Sequence, residues 1–170
     1  MKGNFSGERA LFGLKNEKIE DSVFFDGESP LKESENISLK NCIFRWKYPL
    51  WYCKNIKVDG GFLDIGARAG IWYTKNIEVK DTVISAPKTF RRAEDIRLSG
   101  VSMPHAEETL WNCRAVTAEN LTAEGDYFAF GLSDSKFSDF TLTGNYSFDG
   151  VKNITIENSR LISKDAFWNT

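Results

Sequence analysis

The sequence contains a single histidine, His105, together with only three cysteines and four prolines. One histidine leaves almost no room for a His-based catalytic triad or a multi-histidine metal site. Cys42, Cys53 and Cys113 show no metal-ligand spacing, and an odd number does not build a disulfide framework. No metal and no cofactor is therefore expected. Net charge is −2 at pH 7, so no excess of positive charge draws the chain to nucleic acid or to an anionic membrane. No run approaches the ~18 apolar residues of a transmembrane helix. Met1-Lys2-Gly3-Asn4-Phe5-Ser6 lacks the apolar stretch of a signal peptide, and a cytoplasmic location is the expectation if Met1 is the native start. Sequons at Asn4, Asn36, Asn120, Asn145 and Asn153 read as by-products of a repeat rather than as glycosylation sites.

The repeat becomes visible when the chain is aligned on short Asn/Asp-Ile segments. Asn36-Ile37-Ser38-Leu39, Asn55-Ile56-Lys57-Val58, Asn76-Ile77-Glu78-Val79 and Asp95-Ile96-Arg97-Leu98 follow one another at steps of 19, 21 and 19 residues. Asn153-Ile154-Thr155-Ile156 lies three turns further on, and Asn16 one turn earlier. The two intervening turns fall near Ala115 and Ser135, with a one-residue insertion expected before Phe137. Apolar residues two apart are strand spacing. An apolar column runs Leu31, Leu50, Ile71, Phe90, Leu110, Phe130 and Phe148, and a small-residue column runs Ser34, Cys53, Thr74, Ala93, Cys113, Ser133, Val151 and Thr170. A third runs Phe24, Phe44, Leu63, Ile84, Met103 and Leu161. Three short strands per turn of about twenty residues are the arithmetic of a single-stranded right-handed parallel β-helix. About eight coils are expected over residues 1–170, stacked ~4.8 Å apart in one all-β domain. The Leu-x-x-Leu-x-Leu framework of leucine-rich repeats is missing, and no helical periodicity persists. Stacked Asn side chains at a tight turn explain the Asn column without any ligand. Cys53 and Cys113 fall three coils apart, roughly 14 Å, too far for a disulfide.

Several long stretches are distinctive: Trp46-Lys47-Tyr48-Pro49-Leu50-Trp51-Tyr52, Arg68-Ala69-Gly70-Ile71-Trp72-Tyr73-Thr74, Ala106-Glu107-Glu108-Thr109-Leu110-Trp111-Asn112-Cys113 and Asn145-Tyr146-Ser147-Phe148-Asp149-Gly150. Through these and similar stretches the whole chain resembles a bacterial family known only as a domain of unknown function, with a pectate-lyase-like right-handed β-helix. The resemblance implies the fold and no activity. Family members look longer, with coils beyond Phe167-Trp168-Asn169, so this chain is expected to lack C-terminal coils.

Strand alternation places one column outward: Lys32, Trp51, Trp72, Arg91, Trp111, Gly131, Asp149 and Trp168. Two residues earlier stand small or rigid residues, and beyond them Glu28, Lys47, Arg68, Pro87, Glu107, Tyr127, Asn145 and Lys164. Small residues beside large rings would form a groove along the axis. Trp51, Trp72, Trp111 and Trp168 would stack on sugar rings, aided by Tyr127 and Lys47, while Arg68, Arg91 and Arg92 would hold an acidic sugar. A carbohydrate-binding or carbohydrate-active β-helix follows, with an acidic polysaccharide or oligosaccharide favoured. If it is an enzyme, Glu107, Asp126 and Asp149 are the candidate catalytic acids of a glycoside hydrolase, with Arg91 stabilising charge. A polysaccharide lyase would need a Lys or Arg base and often Ca²⁺, for which no dense Asp cluster exists. The alternative is a non-enzymatic protein-interaction scaffold with the same Trp and Arg residues as hot spots. Lys88, Glu108 and Asp165 conflict with alternation and are expected in a turn rather than in the core. The chain stops in mid-repeat at Thr170 with no cap-like helix, so an open final coil is expected, suited to an end-to-end homodimer.

Overall fold

A computed structural model describes residues 1–170 and shows an all-β, right-handed parallel solenoid of about eight coils. The Asn-Ile segments lie in six-residue strands such as Glu35–Lys40, Lys54–Asp59, Lys75–Lys80 and Glu94–Ser99. They pair in register, Ile37 on Ile56, Ile56 on Ile77, Ile77 on Ile96 and Ile96 on Val116. A shorter ladder stacks Val23–Phe24, Ile43–Phe44, Phe62–Leu63 and Val83–Ile84. The strands Arg114–Glu124 and Ser133–Thr143 run through both ladders. On a third face Ile71–Trp72 pairs with Phe90–Arg91, and Arg91 bridges on to Trp111. No helix is long and apolar enough to cross a membrane.

The Asn column makes the first corner of every coil. Asn16, Asn36, Asn55, Asn76, Asp95, Ala115, Asp134 and Asn153 all have φ between 51° and 59°. A single left-handed residue turns the strand, and Asn and Asp adopt that conformation at lower cost than most residues. Because the corner residue and its predecessor both face outward, the inward residues Cys53 and Ile56 stand three apart, not two. Along the axis the amides form a ladder: Asn36 Nδ2 donates to Asn16 Oδ1, Asn55 to Asn36, and Asn76 to Asn55, each at 2.8 Å. Further left-handed corners stand at Gly60, Ala69 and Tyr73 in the same coil. Their spacing is constant from coil to coil: five residues from Asn55 to Gly60, four from Ala69 to Tyr73, three from Tyr73 to Asn76. Only the span between the third inward column and the next corner changes. It is four residues from Phe44 to Tyr48 and six from Leu63 to Ala69.

Most of the phenylalanines fill the core. Phe24 stacks on Phe44 with centroids 4.5 Å apart, and Phe128, Phe137, Phe140 and Phe148 are buried together in the C-terminal half. The coil alignment differs from the expected one between 115 and 135. No insertion precedes Phe137; Arg114–Glu124 and Ser133–Thr143 pair without a break, so the corner is Asp134 and not Ser135. Leu132 rather than Ser133 therefore faces inward, and Ala129 rather than Phe130. The sequence misleads here because Phe130 is the larger hydrophobe. Its neighbour Phe128 already fills the space, leaving room for only the Ala129 methyl. Lys88, Glu108 and Asp165 lie at a left-handed corner, in the turn and not in the core.

Candidate functional site

The outward column on the third face is Lys32, Trp51, Trp72, Arg91, Trp111, Phe130, Asp149 and Trp168, as its backbone pairing dictates. Phe130 replaces the expected Gly131, which sits at a corner instead. Stacked strands repeat at ~4.8 Å, within the centroid spacing of offset-stacked rings, so like side chains in successive coils can meet face to face. Trp51 and Trp72 stack at 5.0 Å with planes 8° apart. The Arg91 guanidinium lies 4.5 Å from the Trp72 centroid and 4.9 Å from that of Trp111, and Trp111 contacts Phe130 at 5.2 Å. One ladder of rings with an arginine in its middle thus spans five coils. Tyr52 and Tyr73, at the adjoining corner, stack at 4.7 Å, and the Tyr73 ring stands nearly perpendicular to both Trp51 and Trp72.

Each indole is also held by its nitrogen. Trp51 Nε1 donates to the Ala69 carbonyl, Trp72 Nε1 to that of Lys88 at 2.7 Å, and Trp111 Nε1 to that of Tyr127 at 2.6 Å. The acceptor in every case is the left-handed corner residue of the following coil. The rings are therefore fixed, and their planes lie across the solenoid axis. Solvent meets ring edges, because the faces of Trp51, Trp72 and Trp111 are turned toward neighbours in the stack.

The other predicted residues scatter around this ladder. Trp168 is 59% exposed on the final coil and outside the stack. Tyr127 stacks on Tyr146 at a corner, centroids 5.1 Å apart, and is not in the column beside Glu107. Asp126 holds that place, so Glu107 and Asp126 occupy equivalent positions in consecutive coils beside a depression of about 380 Å³. Asp126 Oδ1 accepts from the Asn145 backbone N at 2.8 Å. Asp149 lies across the corner, in the aromatic column, and accepts from Asn169 Nδ2 at 3.0 Å. Lys47 is 4.0 Å from Glu28. Arg68, Arg91 and Arg92 have no carboxylate within 4.0 Å. No three His, Cys, Asp or Glu side chains gather as a metal site. The cysteines are buried packing groups, and burial pushes the Cys53 and Cys113 thiols up to about 12.

Reasoning from alternation missed the arginine sandwich and the Tyr52–Tyr73 pair. The signal for the second was present in the repeated dipeptides Trp51-Tyr52 and Trp72-Tyr73. The signal for the first was the outward column itself, which reads Trp72, Arg91, Trp111 in consecutive coils.

Comparison with known proteins gives a family and no activity. The chain belongs to the family described as "Protein of unknown function (DUF3737)", which matches residues 1–170. No curated protein matches. Among solved structures the chain is similar to HetL, a pentapeptide repeat protein involved in heterocyst differentiation regulation from the cyanobacterium Nostoc sp. The identity is 11%, coverage is 95% of this chain and 90% of that one, and the TM-score is 0.34. It is similar also to a trypsin-treated form of QnrB1, a plasmid-mediated fluoroquinolone resistance protein, at 12% identity, 95% and 91% coverage and a TM-score of 0.31. Of these neighbours HetL is described as a pentapeptide repeat protein, and no pectate lyase stands among them, so the parallel β-solenoid is supported but the expected pectate-lyase-like type is not.

Proposed function

We propose that this DUF3737 chain is a non-enzymatic protein-interaction scaffold whose docking face is the ladder from Trp51 to Phe130, flanked by Tyr52 and Tyr73. The observation that carries the reading is the stacking itself. A sugar-binding tryptophan offers its face to the C–H side of a pyranose. Here the faces meet other rings and Arg91, and the indole N–H groups are already spent on backbone carbonyls. What remains is a stiff strip of aromatic edges that ends in half-exposed Phe130, with half-exposed Tyr52 beside it. Such a strip loses little conformational entropy when a second protein covers it, and Trp, Tyr and Arg dominate protein interfaces. The acids add no argument for hydrolysis: Glu107 and Asp126 lie on one side of the Tyr127 corner and Asp149 on the other.

The test uses the immobilised chain and its double variant Tyr52→Ala, Tyr73→Ala with extract of the native host, alongside a panel of neutral and acidic oligosaccharides. A host protein retained by the wild type, rebound as a purified component and released by the variant is the expected result. Retention of no protein, with saturable binding of an oligosaccharide, would overturn the scaffold reading and restore the sugar groove.

A further inference from the structure

Arg91 is the one charged member of the aromatic ladder, and its surroundings supply no counter-charge. Glu108 is taken by Lys88 at 3.0 Å and Glu94 by Arg114 at 3.0 Å. Arg91 Nε is buried and donates to nothing. Arg92, next in the chain, and Arg68, in the preceding coil, are also unpaired. The slot around Arg91 cannot easily collapse, because the flanking Trp72 and Trp111 are held by their own N–H bonds. Cation–π contact on both faces holds the guanidinium but leaves its charge uncancelled and partly stripped of water, which is an unfavourable state until an anion arrives. With both faces covered, hydrogen bonds are available only in the guanidinium plane, and its outer edge carries Nη donors in the fork that matches a carboxylate.

We propose that Arg91, clamped between Trp72 and Trp111, is a receptor for a carboxylate side chain from an acidic segment of a protein partner. This rests on the scaffold reading and narrows the partner's chemistry. A side-chain carboxylate fits better than a uronic acid. A sugar acid needs a free ring face beside its carboxylate, and here Arg91 itself, Trp51 and Phe130 cover those faces. Arg92 and Arg68 add attraction at longer range without a stacked geometry of their own.

The probe is an acetylated hexaglutamate peptide, with hexaglutamine and trigalacturonate as comparisons, titrated at neutral pH into the full chain. The readout is the Arg91 Nε–H signal in ¹H–¹⁵N spectra, set apart by ring-current shielding between two indoles. Hexaglutamate is expected to shift that signal saturably and hexaglutamine to leave it in place. Arg91→Gln and Arg91→Lys are each expected to weaken hexaglutamate binding by about tenfold or more, with circular dichroism unchanged. Undiminished binding by Arg91→Lys would mean that bulk charge is being read, and would overturn the proposal. So would a silent Arg91 signal, or a stronger response to trigalacturonate. Should either variant fail to fold, the wild-type spectra decide alone. A silent Arg91 signal with host-protein retention through Tyr52 and Tyr73 intact removes the carboxylate receptor and keeps the scaffold. Absence of any retained protein removes the scaffold as well.

Discussion

At the scale of single residues, the corners and the tied indoles make separable demands. Asn55 combines a left-handed backbone with two ladder bonds, as donor to Asn36 and acceptor from Asn76. Asn55→Ala keeps neither the amide nor the tolerance for φ near 57°, and a loss of about 1–2 kcal/mol in urea unfolding is expected. Asn55→Gly restores the backbone freedom and should cost clearly less; equal losses would mean that the corner conformation is not the source. Trp72 and Trp168 share a column but not an environment. Trp72→Ala removes a stacked, hydrogen-bonded ring and should cost about 2–3 kcal/mol, whereas Trp168→Ala on the exposed final coil should stay within ~0.5 kcal/mol. The thiols give a pH test. Burial raises Cys53 and Cys113 from 9.0 to about 12, so the folded state holds their protons more tightly than the unfolded state does. Their contribution is complete below the unfolded value and is lost as pH rises through the window from about 9 to about 12. At pH 8 iodoacetamide should leave both unmodified in the native chain and label them in urea, as read by mass spectrometry.

The coil is the next unit, and it was largely legible in the sequence. Ile37, Ile56, Ile77 and Ile96 mark one strand so regularly that its register could be read off directly, and the pairing agrees. The third inward column, from Phe24 through Met103, is buried throughout. What could not be read was the register near Phe130. A hydrophobic column aligned by eye prefers the larger side chain, whereas coil geometry counts residues from the corner. The corners themselves hide in the sequence wherever Ala69, Tyr73 or Lys88 occupies them, since none of these residue types announces a positive φ. Alternation places Trp51, Trp72, Arg91 and Trp111 in one outward column, but it does not fix whether their faces meet one another or solvent. Close stacking also sets a steric test. A Cβ on Gly61, at φ +87°, would stand 2.2 Å from the Cys42 carbonyl oxygen, while Gly13, at φ +69°, has open space around it. Gly61→Ala should therefore cost about 2–4 kcal/mol and Gly13→Ala about 1 kcal/mol, compared by thermal unfolding.

For the whole molecule, each coil buries its side chains only against its neighbours, so the ends differ from the middle. Ile96 and Leu98 are fully buried, but their counterparts Ile154 and Ile156 in the last coil are only partly covered, and Phe167 is 42% exposed. A cavity of about 520 Å³ opens there between Val151, Ile154, Ile156 and Phe167. We propose that in a chain of these 170 residues this edge joins a second copy end to end. Light scattering should show mass rising with concentration, and a constant monomer mass would count against it. The spacing of the corners has a consequence for what the solenoid can absorb. Since Leu63 to Ala69 is the one span whose length changes among coils, it is where foreign sequence can be spliced in. A Gly-Ser tetrapeptide placed after exposed Ile65 should leave the melting temperature nearly unchanged, while the same tetrapeptide after buried Val58 should abolish cooperative melting. The chain is then a graduated rod with one permissive slot per coil, onto which loops could be grafted at a vertical pitch of ~4.8 Å.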